Sequence, residues 1–366
     1  MGVAARLAVG MMRAAYVPIK LFPQKNKIAI LSRQNNAASY DVKALENYFA
    51  EKHPEIRVKV LVKMVRGISY PFHMLRQMYA IATSKVVVID GYCIAASVLK
   101  HKEGTCIIQM WHSSAAIKKF GYQCLDMPSG HSGEMAEIMC MHRNYDYVIC
   151  PSMTTGKLFC EAFDVSGDKL RLYGLPRLSE ISEPEEEWVN ETREKLGLND
   201  GRETILYLPT FRKGGKVEAK PLADALDPER YHLVVKAHPL DSIEGEPDTG
   251  EEFSSTRWLK LCDRIITDYS ALGVEAALLN KPLYFYVYDI DEYEKNTGLN
   301  INPLVEMPKC SAVTPDRMAE LLVEDYDFDS LNRFKDKYIE VPTGNCTELL
   351  AEFILETLNG NNKKTP

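Results

Sequence analysis

The stretch Arg264-Ile265-Ile266-Thr267-Asp268-Tyr269-Ser270-Ala271-Leu272-Gly273-Val274-Glu275-Ala276-Ala277-Leu278-Leu279-Asn280-Lys281-Pro282 changes pattern twice. Ile265 and Ile266 read as the end of a buried strand, Thr267 to Ser270 as a polar turn, and Ala271 to Leu279 as a short helix stopped by Asn280 and Pro282. In an open parallel sheet such a turn lies at the carboxyl edge, where ligands bind, and the N–H groups at a helix start attract phosphate. Two readings stay open from these residues: an anion site, or a helix that Asp268 or Ser270 merely caps.

The strand-turn-helix order recurs outward from this point. Ile205 to Leu208, His232 to Val235, Ile265 to Ile266 and Leu283 to Tyr286 form one strand series. Upstream, Ile28 to Leu31, Val58 to Val62, Val86 to Ile89, Cys106 to Met110, Tyr147 to Cys150 and Leu170 to Tyr173 form another, with helices over Tyr40 to Lys52 and Met135 to Asn144. Strands separated by helices imply parallel sheets with right-handed crossovers. The acidic stretch Glu180 to Glu187 reads as a solvated linker running into a helix at Trp188 to Leu196, and Leu321 to Leu331 and Cys346 to Leu358 read as closing helices. The expectation is an α/β chain of two Rossmann-like domains facing across a cleft. Its parts are a basic N-terminal segment over 1–26, a first domain over 27–178, a second over 179–345, and a C-terminal helix and tail over 346–366.

No acidic residue precedes Asp41, whereas Arg6, Arg13 and Lys20 recur every seven residues among Val3, Leu7, Met11, Tyr16 and Val17. That spacing predicts an amphipathic helix, suited either to an anionic membrane surface or to packing on the protein's own body. Arg13 interrupts it too early for a bilayer span, and no small-residue cleavage site follows.

At 366 residues, 46% hydrophobic and 26% charged, the chain can bury two cores, and global disorder is excluded. A net charge of −7 argues against a general nucleic-acid binder. Nine cysteines, an odd number without a C-x-x-C pair, argue against a disulfide framework or zinc site and for a reducing cytoplasmic setting.

Several residues at strand ends carry candidate chemistry. His112, in Gln109-Met110-Trp111-His112-Ser113-Ser114, is placed to take a proton from a hydroxyl or to make a structural hydrogen bond. Arg212 in Leu208-Pro209-Thr210-Phe211-Arg212 offers a planar fork for phosphate. Lys236 and His238 in Val235-Lys236-Ala237-His238-Pro239 alternate, so they share a face in extended chain and could donate to a diphosphate.

These loops together resemble the CDP-glycerol:poly(glycerophosphate) glycerophosphotransferases, a teichoic acid glycerophosphotransferase-like family with the GT-B arrangement. The match rests on Asp268-Tyr269-Ser270, Glu275, Leu278 to Pro282 and Phe285 to Tyr293. It also rests on Trp111-His112 with Lys118-Lys119-Phe120-Gly121, on Pro209-Thr210-Phe211-Arg212, on His238-Pro239 and on Gly174-Leu175-Pro176-Arg177. Ser113 stands where a glycine is common in that family, and Leu178-Ser179 replace an Asn-Asp pair.

The resemblance implies transfer of glycerol phosphate from CDP-glycerol to a hydroxyl of a lipid-linked or glycan acceptor, with release of CMP. It makes His112 the base and His238 a second catalytic group. Thr210, Arg212, Lys236, Asp268, Ser270, Ala271 and Glu275 would bind the donor, with Ser270 and the N–H groups after it cradling the diphosphate, Asp268 orienting the turn and Glu275 accepting from the ribose. Trp111, Ser113, Ser114, Lys118 and Lys119 would lie on the acceptor side. No cofactor is implied, and metal independence is expected because no Asp-x-Asp motif is read in the cleft loops. Localisation is expected to be cytoplasmic, peripheral on the inner membrane face. The alternatives are a CDP-ribitol or nucleotide-sugar transferase on the same fold, or a non-catalytic nucleotide-binding assembly protein.

Overall fold

The computed structural model describes residues 2–64, 69–210, 212, 217, 219–236 and 253–360. It divides into two compact units. The first comprises Met1–Ser114, Phe120–Ser179 and Val341–Pro366, and the second Ala115–Lys119 and Glu180–Glu340.

The first unit is built on strands β1 (Lys25–Ser32), β2 (Arg57–Val62), β3 (Ser84–Ile89), β4 (Cys106–Gln109), β5 (Tyr147–Cys150) and β6 (Leu170–Leu172). They pair in the order β2-β1-β3-β4-β5-β6, every pair parallel. The chain enters at β1, steps outward to β2, then resumes at β3 on β1's other side. The carboxyl ends of β1 and β3 are therefore a point from which connections diverge, the position where open α/β sheets hold ligands. The apolar runs of β1 and β3 are buried on both faces, as a sheet covered by helices requires.

Ser39 caps the helix Tyr40–Lys52 by accepting from Val42 N. Val42, Leu45 and Phe49 of that helix meet Ile28, Ile30, Val86 and Val88. The closing helix Cys346–Leu358 packs into the same core through Leu350, Ile354 and Leu358. At about 2 kcal/mol for each such side chain removed from water, this distant segment is part of what holds the first sheet together. Arg177 braces the other end of the Tyr40–Lys52 helix: its backbone N and its Nε each reach the buried Asp41 carboxylate at 2.8 Å.

In the second unit, β7 (Glu203–Leu208), β8 (Tyr231–Val235), β9 (Arg264–Thr267), β10 (Leu283–Tyr286) and β11 (Ser311–Ala312) form a sheet ordered β11-β10-β9-β7-β8, again parallel throughout. Its divergence point lies between β7 and β9. Leu208 pairs with Thr267 there, which sets the residues following β7 beside those following β9.

Four expectations need correction. The helix expected over Met135 to Asn144 stops at Ile138, because Cys140, His142 and Asn144 take positive φ. The Asn144 amide bonds instead to the carbonyls of Ala96, Ser97 and Leu99 at 3.0–3.1 Å. The helix expected over Leu321 to Leu331 is two helices, Pro315–Val323 and Phe328–Tyr338. Thr314 and Asp327 cap their starts, and Glu324 between them is extended. The acidic stretch expected as a solvated linker is anchored, since the Glu185 carboxylate accepts from Arg257 at 2.6 and 2.7 Å and pairs with Lys260. The helix after β9 is also shorter than expected, Leu272–Ala276 followed by a 3-10 turn over Ala277–Leu279.

The N-terminal residues Gly2–Ile19 are helical, with Val9 and Tyr16 buried. Arg13 Nε donates to Val98 O at 3.2 Å and the Tyr16 hydroxyl meets His101 Nδ1 at 3.2 Å. One side of the helix is thus packed on the first unit, while Val3, Leu7, Met11 and Val17 are exposed. No helix among the described residues is long and apolar enough to cross a membrane.

Candidate active site

Each unit gathers polar residues at its divergence point. In the first, Gln34 follows β1, Asp90 and Gly91 follow β3, and His112 follows β4. His112 Nδ1 lies 2.9 Å from the backbone carbonyl of Asp90 and 3.1 Å from the Gln34 amide. The Asp90 carbonyl can only accept and the Gln34 Nε2 amide group can only donate, so the two contacts favour opposite states of Nδ1; with the Nδ1 proton directed to Asp90 O, the lone pair of a neutral ring lies on Nε2. That is the tautomer a proton acceptor needs.

The backbone in front of His112 is strained. Trp111 has φ of 59°, a left-handed conformation that costs a bulky residue roughly 1–3 kcal/mol. Its N–H donates to the Oε1 of the buried Gln109 at 2.9 Å, and its ring stacks on Phe120 at 4.8 Å with Phe163 edge-on at 5.1 Å. The turn is held by neighbours that outweigh its local preference, and its result is to hold His112 against Asp90 and Gln34. Gly91 makes this approach feasible: a Cβ there would come within 2.6 Å of Gln34 Nε2. Ser113 is half-buried and Ser114 buried in the same loop.

Asp90 is 2% exposed. Burial pushes its carboxyl up to about 6, with Ser32 pulling it partly back and Asp41 pushing it further up. Between about pH 4 and pH 6 the folded chain keeps a proton that the unfolded chain sheds, so stability falls as pH rises through that window. Asp90→Asn keeps the backbone carbonyl that His112 uses and is expected to abolish that decline. The gain at pH 7 is expected to be about 3 kcal/mol. Urea midpoints at pH 4 and pH 7 check this, and an unchanged pH slope would refute the assignment.

In the second unit Thr210 and Arg212 follow β7, Asp268 to Ala271 follow β9, and Asp289 follows β10. Asp268, fully buried, accepts from Thr210 N at 2.9 Å, from Thr210 Oγ1 at 2.6 Å, from Arg212 Nη2 at 2.9 Å and from Tyr269 N at 2.5 Å. Arg212 also donates to Asp289 from Nε at 2.7 Å and Nη2 at 3.1 Å, and to Thr210 O from Nη1 at 2.6 Å. Burial would lower the Arg212 pKa, but Asp268 and Asp289 outweigh it and hold the guanidinium charged. Tyr269 donates to Asp289 at 3.0 Å and stacks on Tyr293 at 3.9 Å, closing the cluster.

Arg212 is therefore placed differently from the open phosphate fork expected of it. Four of its five N–H donors are engaged by protein, and only one Nη1 hydrogen is left among the described residues. What this cluster presents instead is backbone. The N–H groups of Ser270 and Ala271 have no acceptor among the described residues, and both residues are half-buried. Ser270 Oγ accepts from Leu272 N at 3.3 Å, fixing the turn. Adjacent N–H groups aimed from a rigid turn suit an anion. Of the two side chains expected as caps, Ser270 braces the residue that opens the helix, whereas Asp268 is taken up by Thr210, Arg212 and Tyr269.

Lys118 and Lys119, expected on the acceptor side with His112, sit in the second unit. Lys118 bridges to Leu299, Lys119 N donates to Gly298 O at 3.0 Å, and Asn300 and Ile301 donate to Ile117 O. Desolvation lowers the Lys118 ammonium pKa, Asp268 raises it and Arg212 lowers it again. The side chain is nevertheless solvent-exposed, which limits the desolvation. Glu275 is 1% exposed, and Lys236 is half-buried. His238 lies outside the described residues.

Gln34, Asp90, Gly91, Asp289 and Tyr293 were not singled out by role from sequence. Asp90-Gly91 closes an apolar strand at the same edge as His112, which is a usable signal; Gln34 carries none. Asp-x-Asp spacings do occur, at Asp289–Asp291, Asp325–Asp327 and Asp327–Asp329. Asp289 is engaged by Arg212 and Tyr269, and Asp327 caps a helix.

The model of the CDP-glycerol:poly(glycerophosphate) glycerophosphotransferase family matches residues 14–356. The chain belongs to this family. Among its relatives, the teichoic acid ribitol-phosphate primase of Bacillus spizizenii is 27% identical, over 95% of this chain and 96% of the relative. The teichoic acid glycerol-phosphate primase of the same organism is also 27% identical, over 92% and 91%. A solved structure of a variant of the wall teichoic acid polymerase TagF with CDPG has a TM-score of 0.74 at 20% identity, covering 96% of this chain and 94% of that one. At that identity the likeness is one of fold, and it makes this family member an α/β protein of parallel sheets like TagF.

Proposed function

We propose that this protein transfers glycerol phosphate from CDP-glycerol to a hydroxyl of a lipid-linked or glycan acceptor in the synthesis of teichoic acid or a similar cell-surface polymer. Family membership supports the reaction class. The observation that carries the donor site is the pair of N–H groups at Ser270 and Ala271, without an acceptor among the described residues, on a turn locked by Asp268, Thr210 and Arg212.

In this reading the acceptor oxygen attacks the phosphorus next to glycerol, and its proton passes to His112 Nε2. A new P–O bond forms as the bond to the cytidylyl phosphate breaks, and CMP leaves. The Ser270 and Ala271 amides take up charge on the diphosphate, with His238 and Lys236 as further donors and Glu275 accepting from the ribose. Little covalent chemistry falls to the protein, so positioning and electrostatics supply the rate. Trp111, Ser113 and Ser114 frame the acceptor hydroxyl, and metal independence belongs to the same reading.

A ribitol phosphate donor is the second reading, because the ribitol-phosphate and glycerol-phosphate primases are equally similar to this chain. Incubation with CDP-glycerol or CDP-ribitol and a panel of lipid-linked acceptors, followed by mass spectrometry, decides between them. CMP with a glycerol phosphate adduct is the expected product. A ribitol phosphate adduct alone would replace the first reading, and donor binding without turnover would favour a non-catalytic assembly protein.

Cytoplasmic, peripheral association with the inner membrane face is proposed from the helix Gly2–Ile19. Its Val3, Leu7, Met11 and Val17 are exposed, Arg6, Arg13 and Lys20 lie on the same helix and the residue after it, and no acid precedes Asp41. Apolar residues with basic neighbours suit an anionic interface. Leu7→Asp with Met11→Asp is expected to abolish flotation with anionic vesicles; retained flotation would remove this part of the proposal.

A further inference from the structure

A cavity of about 470 Å3 opens in the first unit beneath the N-terminal helix. Arg13 and Lys20 border it from the helix side, Lys100 from the connection leading into β4, and Arg143 from the connection leading into β5. Tyr16, Val98, Leu99 and Cys140 are its buried floor. Among the described residues no acidic side chain lines it. A neighbouring cavity of about 280 Å3 shares Arg13, Cys140 and Arg143 with it and adds Arg6 and the one acid, Glu137. Among the described residues no carboxylate pairs with Arg13, Lys20, Lys100 or Arg143, although Arg6 on the same helix pairs with Glu134 at 3.8 Å.

Four like charges around one hollow repel each other, and the chain holds them there in spite of an overall charge of −7. The framework beneath is rigid: Asn144 ties the β5 connection to the carbonyls of Ala96, Ser97 and Leu99, and Arg13 Nε is bonded to Val98 O. Arg13 keeps its outer guanidinium hydrogens for an anion, since Nε serves the protein and one Nη2 contact goes to the soft Cys140 sulfur at 3.7 Å. A cationic rim over an apolar floor matches a phosphate ester with a short apolar stem.

We propose that this cavity is a phosphate-ester site, separate from the donor turn at Ser270, which takes either the headgroup of an anionic lipid or a free phosphate compound. It stands on different residues from His112, which follows the carboxyl end of β4, whereas Lys100 and Arg143 precede the amino ends of β4 and β5. It does not depend on the transferase reading, and turnover on a water-soluble acceptor is expected to survive its loss.

The test compares the full chain with Lys100→Glu/Arg143→Glu and with Lys52→Glu/Lys59→Glu, a control of equal charge change at exposed positions of the same unit. Flotation uses vesicles of phosphatidylcholine with and without phosphatidylglycerol, and equilibrium dialysis uses pyrophosphate. At roughly fivefold per cation near an anionic surface, the cavity pair is expected to lose at least about tenfold in vesicle binding while the control loses much less. That result assigns a lipid headgroup. If vesicle binding is unaffected but dialysis shows one fewer bound pyrophosphate than in the parent, the occupant is a free phosphate compound. Equal losses in the two pairs, or no loss in either assay, would overturn the proposal. Lys100→Gln/Arg143→Gln replaces the reversal pair should that pair fail to fold.

Discussion

His112→Ala is expected to lower kcat for CMP release from CDP-glycerol by about a hundredfold or more, the usual contribution of a positioned proton acceptor. The fold should survive the change. His112 is half-buried at the edge of the first sheet, and the residues that shape its loop, Gln109, Trp111 and Phe120, remain. A thermal melt within a few degrees of the parent would separate loss of chemistry from loss of structure. His112→Gln should be nearly as slow, since an amide can hydrogen-bond to Asp90 O but cannot accept a proton at neutral pH. If His112→Ala and His238→Ala both turn over at the parental rate, the proposed mechanism falls. If only His238→Ala does, the base assignment stands and the diphosphate loses one of its donors.

The architecture was legible because strands buried on both faces announce themselves as apolar runs. Ile28–Leu31, Val86–Ile89, Ile205–Leu208 and Leu283–Tyr286 all lie within observed strands. The residues that follow such runs fall at the carboxyl edge by construction, which is why Trp111-His112, Thr210 and Asp268-Tyr269-Ser270 could be singled out in advance. What the local pattern could not carry was tertiary. Periodicity over Met135 to Asn144 cannot show that the Asn144 amide is claimed by three carbonyls some 45 residues earlier in the chain. Nor does a charged loop residue disclose its partner: Arg212 reads as an open phosphate ligand until Asp268 and Asp289 are seen to occupy it from two different strand ends. Lys118 and Lys119 show the same limit at the level of domains, since a bridge to Leu299 enlists five residues of the first series into the second unit.

Arg212→Ala is expected to cost about 3–5 kcal/mol of stability in the second unit, the penalty for breaking a buried ion pair by removing one partner. The two carboxylates are unequal. Asp289 retains about a fifth of its side-chain surface in water, but Asp268 has none, so the loss falls mainly on Asp268. Stripped of the guanidinium, Asp268 keeps the Thr210 and Tyr269 donors, too few to replace water and a cation together. The substitution should therefore loosen the turn that presents the Ser270 and Ala271 amides, and KM for CDP-glycerol should rise along with the drop in unfolding midpoint. Arg212→Lys would rescue little, because a single ammonium cannot span Asp268, Asp289 and Thr210 O at once. The discriminating variant is Arg212→Met combined with Asp268→Asn, which removes both buried charges and should recover part of the lost stability without recovering donor affinity. Guanidinium unfolding curves and KM measured on the same preparations resolve the two effects. If Arg212→Ala instead leaves the midpoint unchanged and abolishes donor binding, Arg212 acts directly on the phosphates and its role as the clamp between β7, β9 and β10 is wrong.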